Sequence, residues 1–302
     1  MIFRDITTED IDGIRRCAEA SGCRACDSSA VNMFIWKKLY RQEFCFEGDF
    51  LFRRSFDRSG MPVYGFPLGS GEIGKALEKT ERDAADFGRG FGFWGLTEEQ
   101  MRSVDALWPG RFEFSEQPDI ADYIYTSESL AELPGKKYHS KRNFINRFEQ
   151  KYGDISTVLP ITPADIREIS EYSSRWCAAN GCRHDDSSLA VESCAIGTAL
   201  ANWDALGLFG AVLRVDGRVR AYNVASELLT DTADVHVEKA DEEIEGAYAV
   251  VNNALAKMIC QKYRYINREE DMGIPGLRKA KESYRPAIRL MRYTAVQSGA
   301  GR

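Results

Sequence analysis

Three absences narrow the class of protein that this sequence can encode. No apolar run approaches the roughly 20 residues that a membrane-spanning helix needs. Residues 1–17 are amphipathic and mixed in charge, which differs from a secretory signal. The formal net charge is -6, so the excess of Lys and Arg that coats nucleic acid non-specifically is missing too. We therefore expect a soluble, cytoplasmic protein without a transmembrane segment, in which any basic surface is local.

Metal-binding and nucleotide-binding motifs are also scarce. The chain has 8 cysteines and 3 histidines, and Cys23 and Cys26 form a CxxC pair. Structural zinc needs a second closely spaced pair, which this motif lacks, and Cys177, Cys182 and His184 are irregularly spaced. Disulfides are rare in a reducing cytosol, so most of the cysteines are interpreted as small, reduced side chains. No metal site is predicted, and no Walker or Gly-x-Ser-x-Gly motif occurs.

The order of predicted elements is the same in both halves of the chain. Each half runs through helices, an antiparallel hairpin, a helix and further strands, and Asp216 and Gly217 mark the clearest hairpin turn. Two units of one type explain 302 residues better than one large domain. The sequence predicts an α+β fold of two GNAT-like (acyl-CoA N-acyltransferase-like) units in tandem, with mixed, mostly antiparallel sheets flanked by helices. The predicted division is residues 1–133, a basic linking helix over residues 134–153, and residues 154–302.

A basic segment at residues 135–153 contrasts with the acidic chain. Its period is helical, with Phe144, Ile145 and Phe148 on the predicted buried side. Basic residues crowd its first turns, where positive charge opposes the helix dipole, so we expect an anionic partner such as a phosphate-rich substrate. The predicted substrate-binding residues of this segment are Lys136, Lys137, His139, Lys141 and Arg142.

The helix predicted to begin at Gly246 bears on whether coenzyme A is a cofactor. In a GNAT-type unit, the free backbone N–H groups at this helix start hold the pyrophosphate. Here residues 241–245 carry four carboxylates, and each opposes a pyrophosphate by about 1 kcal/mol even in polar surroundings. Coenzyme A is therefore the less favoured cofactor, although the same acids also suit the positive end of the helix dipole. No other cofactor is predicted.

A second charged segment, residues 269–285, follows a predicted strand. It mixes acidic and basic side chains with glycine and proline, which suits a site for an amine together with a phosphate or carboxylate. An alternative interpretation is a short helix over residues 277–284 whose charges pair with one another. The predicted site residues of this segment are Glu269, Asp271, Arg278 and Lys281.

Three strand residues of the second half complete the candidate set for substrate binding. His236 lies in an alternating strand and shares a face with Asp234 and Glu238, which suits a site on the open side of a sheet. Tyr222 and Asn223 follow the predicted hairpin turn, where GNAT-type sheets receive substrate.

Two segments carry a resemblance to a known family. They are "DYIY…LPGKKYHSKRNFINRF" within residues 122–148 and "NREEDMGIPGLRKAKESYRP" at residues 267–286. Together they resemble the bacterial family related to the C-terminal domain of phosphatidylglycerol lysyltransferase, which is similar to the Fem-type peptidoglycan aminoacyltransferases. The resemblance covers essentially the whole chain and implies two GNAT-like units. It also implies transfer of an aminoacyl group from aminoacyl-tRNA to an amine or hydroxyl acceptor.

The resemblance further implies catalytic roles for two residues. Leu277, Lys281 and Tyr284 match a family segment in which the lysine binds the reacting ester and stabilises the oxyanion. Arg278, one helical turn before Lys281, would face the same way. Two alternatives remain open: a coenzyme A-dependent N-acyltransferase, and a non-catalytic GNAT-fold module that binds a phosphate-rich ligand.

Overall fold

The computed structural model describes residues 1–179 and 188–299, so Cys182 and His184 lie outside the described residues. None of the described helices is long and apolar enough to cross a membrane. The α-helices are α1 Ile11–Ser21, α2 Ala30–Trp36, α3 Ile73–Ala85, α4 Glu98–Leu107, α5 Ser127–Glu132, α6 His139–Tyr152, α7 Ile166–Ala179, α8 Ser188–Ala201, α9 Ala247–Ile259 and α10 Pro275–Glu282. The strands are β1 Glu43–Glu47, β2 Phe50–Phe56, β3 Pro62–Tyr64, β4 Leu68–Gly69, β5 Gly92–Leu96, β6 Phe112–Glu116, β7 Asp122–Thr126, β8 Ser156–Pro160, β9 Ala211–Val215, β10 Arg218–Leu229, β11 Thr232–Ala240, β12 Tyr265–Asn267, β13 Ile288–Leu290 and β14 Tyr293–Gln297.

The chain divides into two compact units whose segments interleave along the sequence. The first unit comprises residues 1–123, 269–282 and the chain from Ile288 onward, and the second comprises residues 124–268 and 283–287. Both are built from a mixed sheet with helices, which is the α+β architecture that the sequence predicts. The predicted division at residues 133 and 153 stays a prediction.

The first unit is a sheet with an aromatic core. Its strands run in the order β1-β2-β3-β5-β14-β6, with β4 beside β2, and only the β3–β5 pair among them is parallel in the described residues. Alternating aromatic side chains of these strands point to one face and bury Tyr64, Phe91, Phe93 and Phe112 together. Their rings meet mostly edge-on or tilted, with centroids 5.2 to 6.5 Å apart.

The end of the described chain forms two strands, β13 and β14, and Met291 and Arg292 are the interruption between them. β14 then lies between β5 and β6 and pairs antiparallel with both. The interruption places the Arg292 side chain in the interior of the first unit, where it is 2% exposed.

The second unit is a sheet in the order β7-β12-β11-β10-β9-β8, in which β11 and β12 are parallel. The predicted hairpin turn is confirmed, since Asp216 and Gly217 connect β9 to β10 with φ values of 51° and 71°. The helix predicted to begin at Gly246 is also confirmed as α9, and most of its alanines and valines are buried.

Helix α6 packs closely against the start of α9. Gly246 precedes α9 with φ 89°, and a Cβ at this position would lie 2.6 Å from the Phe144 carbonyl oxygen and 3.1 Å from the Phe148 side chain. Glycine is therefore required both by the backbone conformation and by the close approach. Phe148 is 1% exposed as predicted, but Phe144 is 37% exposed, so its predicted burial is wrong. The buried face of α6 is therefore narrower than the spacing of its aromatic residues predicts.

Candidate active-site residues

The loop after β12 holds a buried carboxylate against an arginine in the first unit. Asp271 is 0% exposed, and Arg278 donates to both of its carboxylate oxygens at 2.8 Å. Tyr123 donates its hydroxyl at 2.6 Å, and the backbone N–H of Gly273 donates at 2.8 Å. Burial alone favours the neutral acid, but these hydrogen bonds lower the pKa of Asp271 to about 2. Two of the predicted site residues are thus brought together as an ion pair.

Arg278 is engaged a second time by Asp119, to which it donates at 2.7 Å. The hydrogen bonds that Arg278 donates to Asp271 and Asp119 raise the pKa of Arg278 above its ordinary value. This arrangement agrees with the alternative interpretation that charges of the loop pair with one another. A catalytic role for Arg278 stays a prediction.

Lys281 lies on the same helix, α10, one turn after Arg278. Its side chain is largely enclosed, since the residue is 8% exposed. Nζ donates to the backbone carbonyl of Glu270 and lies 5.9 Å from the centroid of the Tyr123 ring. The neighbouring Glu269 has a φ of 55° and accepts a hydrogen bond from Asn32 at 2.8 Å. All four predicted loop residues therefore have partners within the first unit, with Lys281 as an enclosed ammonium.

A buried cluster in the first unit was not predicted from the sequence. The Cys26 thiol donates to Asp122 at 3.0 Å and lies 3.5 Å from a carboxylate oxygen of Glu270. Arg292 donates to Asp122 at 3.1 Å and also to Asp27. These residues come from separate parts of the chain, so no local motif joins them. The visible signal is Asp122, a charged residue at the start of the apolar strand β7.

The cluster is better described as a hydrogen-bonded network than as a metal site. One ligand atom each of Cys26, Asp122 and Glu270 lies within 4.8 Å of the others. Arg292 already supplies positive charge to Asp122, however. Burial, followed by the charge of Asp122, raises the pKa of the Cys26 thiol well above its ordinary value, which agrees with a protonated thiol that donates to Asp122.

Most of the described cysteines agree with the expectation of reduced side chains. Six described cysteines are free, and Cys26 and Cys45 among them are buried. Cys177, in contrast, is disulfide-bonded.

Replacing Glu270 by Gln is expected to change how stability depends on pH. Burial, followed by the charges of Glu269, Asp122 and Asp27, raises the pKa of Glu270 to about 7 from an ordinary value of 4.5. A carboxyl group with a raised folded-state pKa contributes stability below pH 4.5 and loses it as the pH rises through about 7. Wild type and Glu270→Gln should therefore be similarly stable at pH 4.5, with the variant gaining up to about 1.4 kcal/mol per pH unit between pH 4.5 and about 7 and no more at higher pH.

Urea denaturation of both proteins across this pH range measures the difference. Glu282→Gln is the matched control, because Glu282 is exposed and the substitution is the same. A difference between wild type and Glu270→Gln that does not change with pH would contradict the prediction.

The basic segment lies in the second unit and has an exposed start. Lys136 and Lys137 lie in a 3-10 turn before α6, and both are exposed, as is His139. Arg142 instead donates to two backbone carbonyl groups of the preceding turn, one of them 2.8 Å away. Arg142 therefore helps to fix the entry into α6, while the two lysines and His139 face solvent. Lys141 has a different environment, described below.

The acid-rich loop before α9 is partly neutralised. Arg147 of α6 donates to Glu245 at 2.7 Å, and Arg220 donates to Asp241 at 2.8 Å. Two of the four carboxylates that were predicted to oppose a pyrophosphate are thus paired. A cavity of about 640 Å³ adjoins this loop, and its lining carries charges of both signs. The lining residues are Tyr172, Arg175, Trp176, Arg218, Val219, Arg220, Asp241, Glu242 and Glu243.

Tyr222 and Asn223, predicted to bind substrate, are both 0% exposed. The Tyr222 hydroxyl is hydrogen-bonded to that of Ser173 at 2.5 Å. Asn223 accepts from the backbone N–H of Ala211 at 2.8 Å and donates to the carbonyl of Val251 at 2.9 Å. Their side chains thus join β10 to β9, α7 and α9, and a role in substrate binding stays a prediction.

His236, another candidate, is part of a buried polar network. Its Nε2 lies 2.8 Å from the Ser226 hydroxyl, and its Nδ1 lies 3.6 Å from the Asp234 carboxylate. The His236 side chain is 1% exposed, so this face of the sheet is not open to solvent at the histidine. Its role in substrate binding also stays a prediction.

Comparison with known proteins identifies the family. The model described as "Phosphatidylglycerol lysyltransferase, C-terminal" matches residues 20–296. The chain belongs to this family. The resemblance predicted from the two motifs is therefore confirmed, and the match covers both compact units.

Solved structures similar to this member of the phosphatidylglycerol lysyltransferase C-terminal family agree with its fold. A conserved protein of unknown function from Bacteroides thetaiotaomicron VPI-5482 is 40% identical, with coverage of 99% of this chain and 100% of that one and a TM-score of 0.93. L-PGS from Bacillus licheniformis is 16% identical, with coverage of 95% and 92% and a TM-score of 0.66. The predicted fold class, two α+β units with mixed sheets flanked by helices, is confirmed.

Among curated proteins, "Uncharacterized protein MYCGA3080" of Mycoplasmoides gallisepticum is 22% identical over 184 residues. The match covers 57% of this chain and 54% of that protein, so it spans about half the length of that relative.

Proposed function

We propose that this protein is an acyltransferase that moves an aminoacyl group from aminoacyl-tRNA to an amine or hydroxyl acceptor. The observation that carries the proposal is the family match over residues 20–296, since the family is described by a lysyl transfer. Family membership supports acyl transfer as the class of reaction. The aminoacyl-tRNA donor is the finer part of the proposal.

Such a transfer requires proton transfer, a cation near the reacting carbonyl oxygen, and cations that bind the phosphates of the donor. The acceptor nitrogen or oxygen attacks the ester carbonyl carbon, a new C–N or C–O bond forms, and the bond to the ribose oxygen breaks. The acceptor gives up a proton, and the departing ribose oxygen takes one up. Negative charge develops on the carbonyl oxygen, so a cation placed there lowers the barrier. The phosphates of the donor need further cations for binding.

Each unit supplies cations that suit one of these requirements. In the first unit, the Lys281 ammonium is 8% exposed, and a charge in such an enclosed place acts on an oxyanion more strongly than it would in water. In the second unit, Lys136 and Lys137 are exposed and make no ion pair within the described part of the chain, so they are available to phosphates.

Binding of total tRNA across a salt series tests the donor. If Lys136, Lys137 and Lys141 contact phosphates, the logarithm of the association constant should fall with the logarithm of salt concentration with a slope of about -2 to -3. Lys136→Ala combined with Lys137→Ala should reduce that slope by about 2. Absent or salt-independent binding would refute the tRNA donor.

A transfer assay tests the reaction itself. Total tRNA charged with labelled amino acids is incubated with the protein and vesicles of phosphatidylglycerol or a small amine, and label leaving the tRNA is measured. We expect protein-dependent transfer to one acceptor type. Calorimetry with acetyl coenzyme A is the comparison, and coenzyme A binding without tRNA binding would favour the N-acyltransferase alternative.

A further inference from the structure

Lys141 is the member of the basic segment whose surroundings differ most from the rest. Its Nζ lies 3.9 Å from the centroid of the Tyr284 ring, and the residue is half-buried. Within the described ranges it forms no ion pair with a carboxylate. Lys136, five residues earlier in the chain, is exposed by comparison. Lys141 is therefore a partly enclosed charge that has an aromatic ring as its neighbour.

A second cation, Arg268, shares this environment. Its guanidinium carbon lies 4.9 Å from the centroid of the same Tyr284 ring and 5.7 Å from that of Tyr125. Arg268 donates to one carboxylate oxygen of Glu238 at 2.7 Å, and Asn252 donates to the other at 3.0 Å. The carboxylate in this group is thus held by the arginine and the amide.

The electrostatics of the group favour an added anion. Burial, followed by repulsion from Arg268, lowers the pKa of Lys141 to about 8, against the attraction of Glu238. Tyr284 stays neutral, because burial raises its pKa to about 12. Lys141 and Arg268 are thus two cations that repel each other in a half-buried place. An anion bound there offsets both the burial and the mutual repulsion of the two cations.

We propose that Lys141 and Arg268, beside the Tyr284 ring, form a binding site for a single phosphate group. Arg offers a planar fork that matches phosphate oxygens, and Lys adds a compact charge. The identity of the substrate rests on the proposed function. The site adds to that function one enclosed phosphate contact, which is distinct from the exposed lysines. Because a bound anion stabilises the charged ammonium, binding is coupled to protonation of Lys141.

Calorimetry with inorganic phosphate and with glycerol 1-phosphate, between pH 7.5 and 9.5, tests the site. Both phosphates are expected to bind at the low end, with affinity falling about tenfold per pH unit once the pH exceeds about 8. Stronger binding of glycerol 1-phosphate indicates a lipid headgroup as the source, whereas equal binding indicates a phosphate without further contacts. Equal affinity for acetate would overturn the assignment to phosphate.

Lys141→Met removes the charge and keeps a linear side chain, and Lys151→Met is the matched control at an exposed lysine of the same helix, whose Nζ lies 4.9 Å from the centroid of the Tyr152 ring. We expect at least a tenfold loss of affinity, and loss of its pH dependence, in Lys141→Met only. Unchanged binding in that variant, pH-independent binding in wild type, or no phosphate binding by folded wild type would each overturn the proposal.

A measurement on wild type covers the case in which Lys141→Met does not fold. An amine-reactive reagent at pH 8 should label Lys141 faster than the exposed lysines, and phosphate should protect it, as read by mass spectrometry. Labelling that phosphate does not change would overturn the site. Phosphate binding uses neither tRNA nor turnover, so its failure and a failure of the transfer assay are separate results.

Discussion

Replacing Lys281 by Met is expected to lower the rate of aminoacyl transfer by about 10²- to 10³-fold, while tRNA binding stays within about twofold of wild type. The physical reason is the low exposure of the ammonium, 8%, which places a full positive charge in surroundings that screen it poorly. A cation that acts on the developing oxyanion contributes to the transition state more than to the bound ground state, so turnover suffers and affinity does not.

Single-turnover transfer measures this effect, and a salt series measures binding. Lys279→Met is the matched control, because Lys279 lies on the same helix α10 and is exposed. Circular dichroism checks that Lys281→Met is folded, since the ammonium also holds the Glu270 carbonyl. A folded variant with a wild-type transfer rate would show that Lys281 is structural.

Replacing Arg292 by Met is expected to lower the free energy of unfolding at pH 7 by about 3–5 kcal/mol. Arg292 is 2% exposed, donates to the Gly95 carbonyl at 2.8 Å and pairs with Asp122, which is 0% exposed. Removing the guanidinium leaves the Asp122 carboxylate buried without its cation. Burial already raises the pKa of Asp122, so the acid takes up a proton in the variant and the loss should be smaller at pH 5 than at pH 7.

Urea denaturation at both pH values gives these free energies. The matched control is Arg102→Met, which removes an exposed arginine paired with Glu98 one helical turn away. That substitution should cost no more than about 0.5 kcal/mol. A loss in Arg292→Met as small as in the control would mean that the buried pair contributes little to stability.

Local structure follows from the sequence where the signal spans only a few residues. The acidic start after Thr7 is a capping box with Asp10 that leads into α1, and Gly22 with φ 63° ends that helix. The turn at Asp216–Gly217 and the glycine before α9 are equally local. In each case the side chain that determines the structure lies within a turn of the backbone that it affects.

The same distinction between local and distant contacts applies to the candidate site. Asp271 and Arg278 are 7 residues apart, so the charge pattern of one loop was sufficient to suggest that its charges pair with one another. Arg292 contacts Asp122, which is 170 residues away in the sequence, and Asp27, which is 265 residues away. The spacing of residues along the chain cannot predict contacts between such distant positions. Phe144 was wrongly predicted to be buried. Helical spacing places it near the buried face, but it does not show whether another element covers that part of the helix. Pairing across the chain depends on topology, which a single sequence records weakly.

The position of β14 has a consequence for biosynthesis. Residues 293–297 form the strand between β5 and β6, so the first half of the chain cannot complete its own sheet when it leaves the ribosome. Until that late segment arrives, the facing edges of β5 and β6 keep their hydrogen-bonding groups unpaired, a state that favours binding to other chains. A nascent polypeptide truncated before residue 293 should therefore need a chaperone. The sheet of the first unit is completed only when β14 is added, after its other strands have been synthesised.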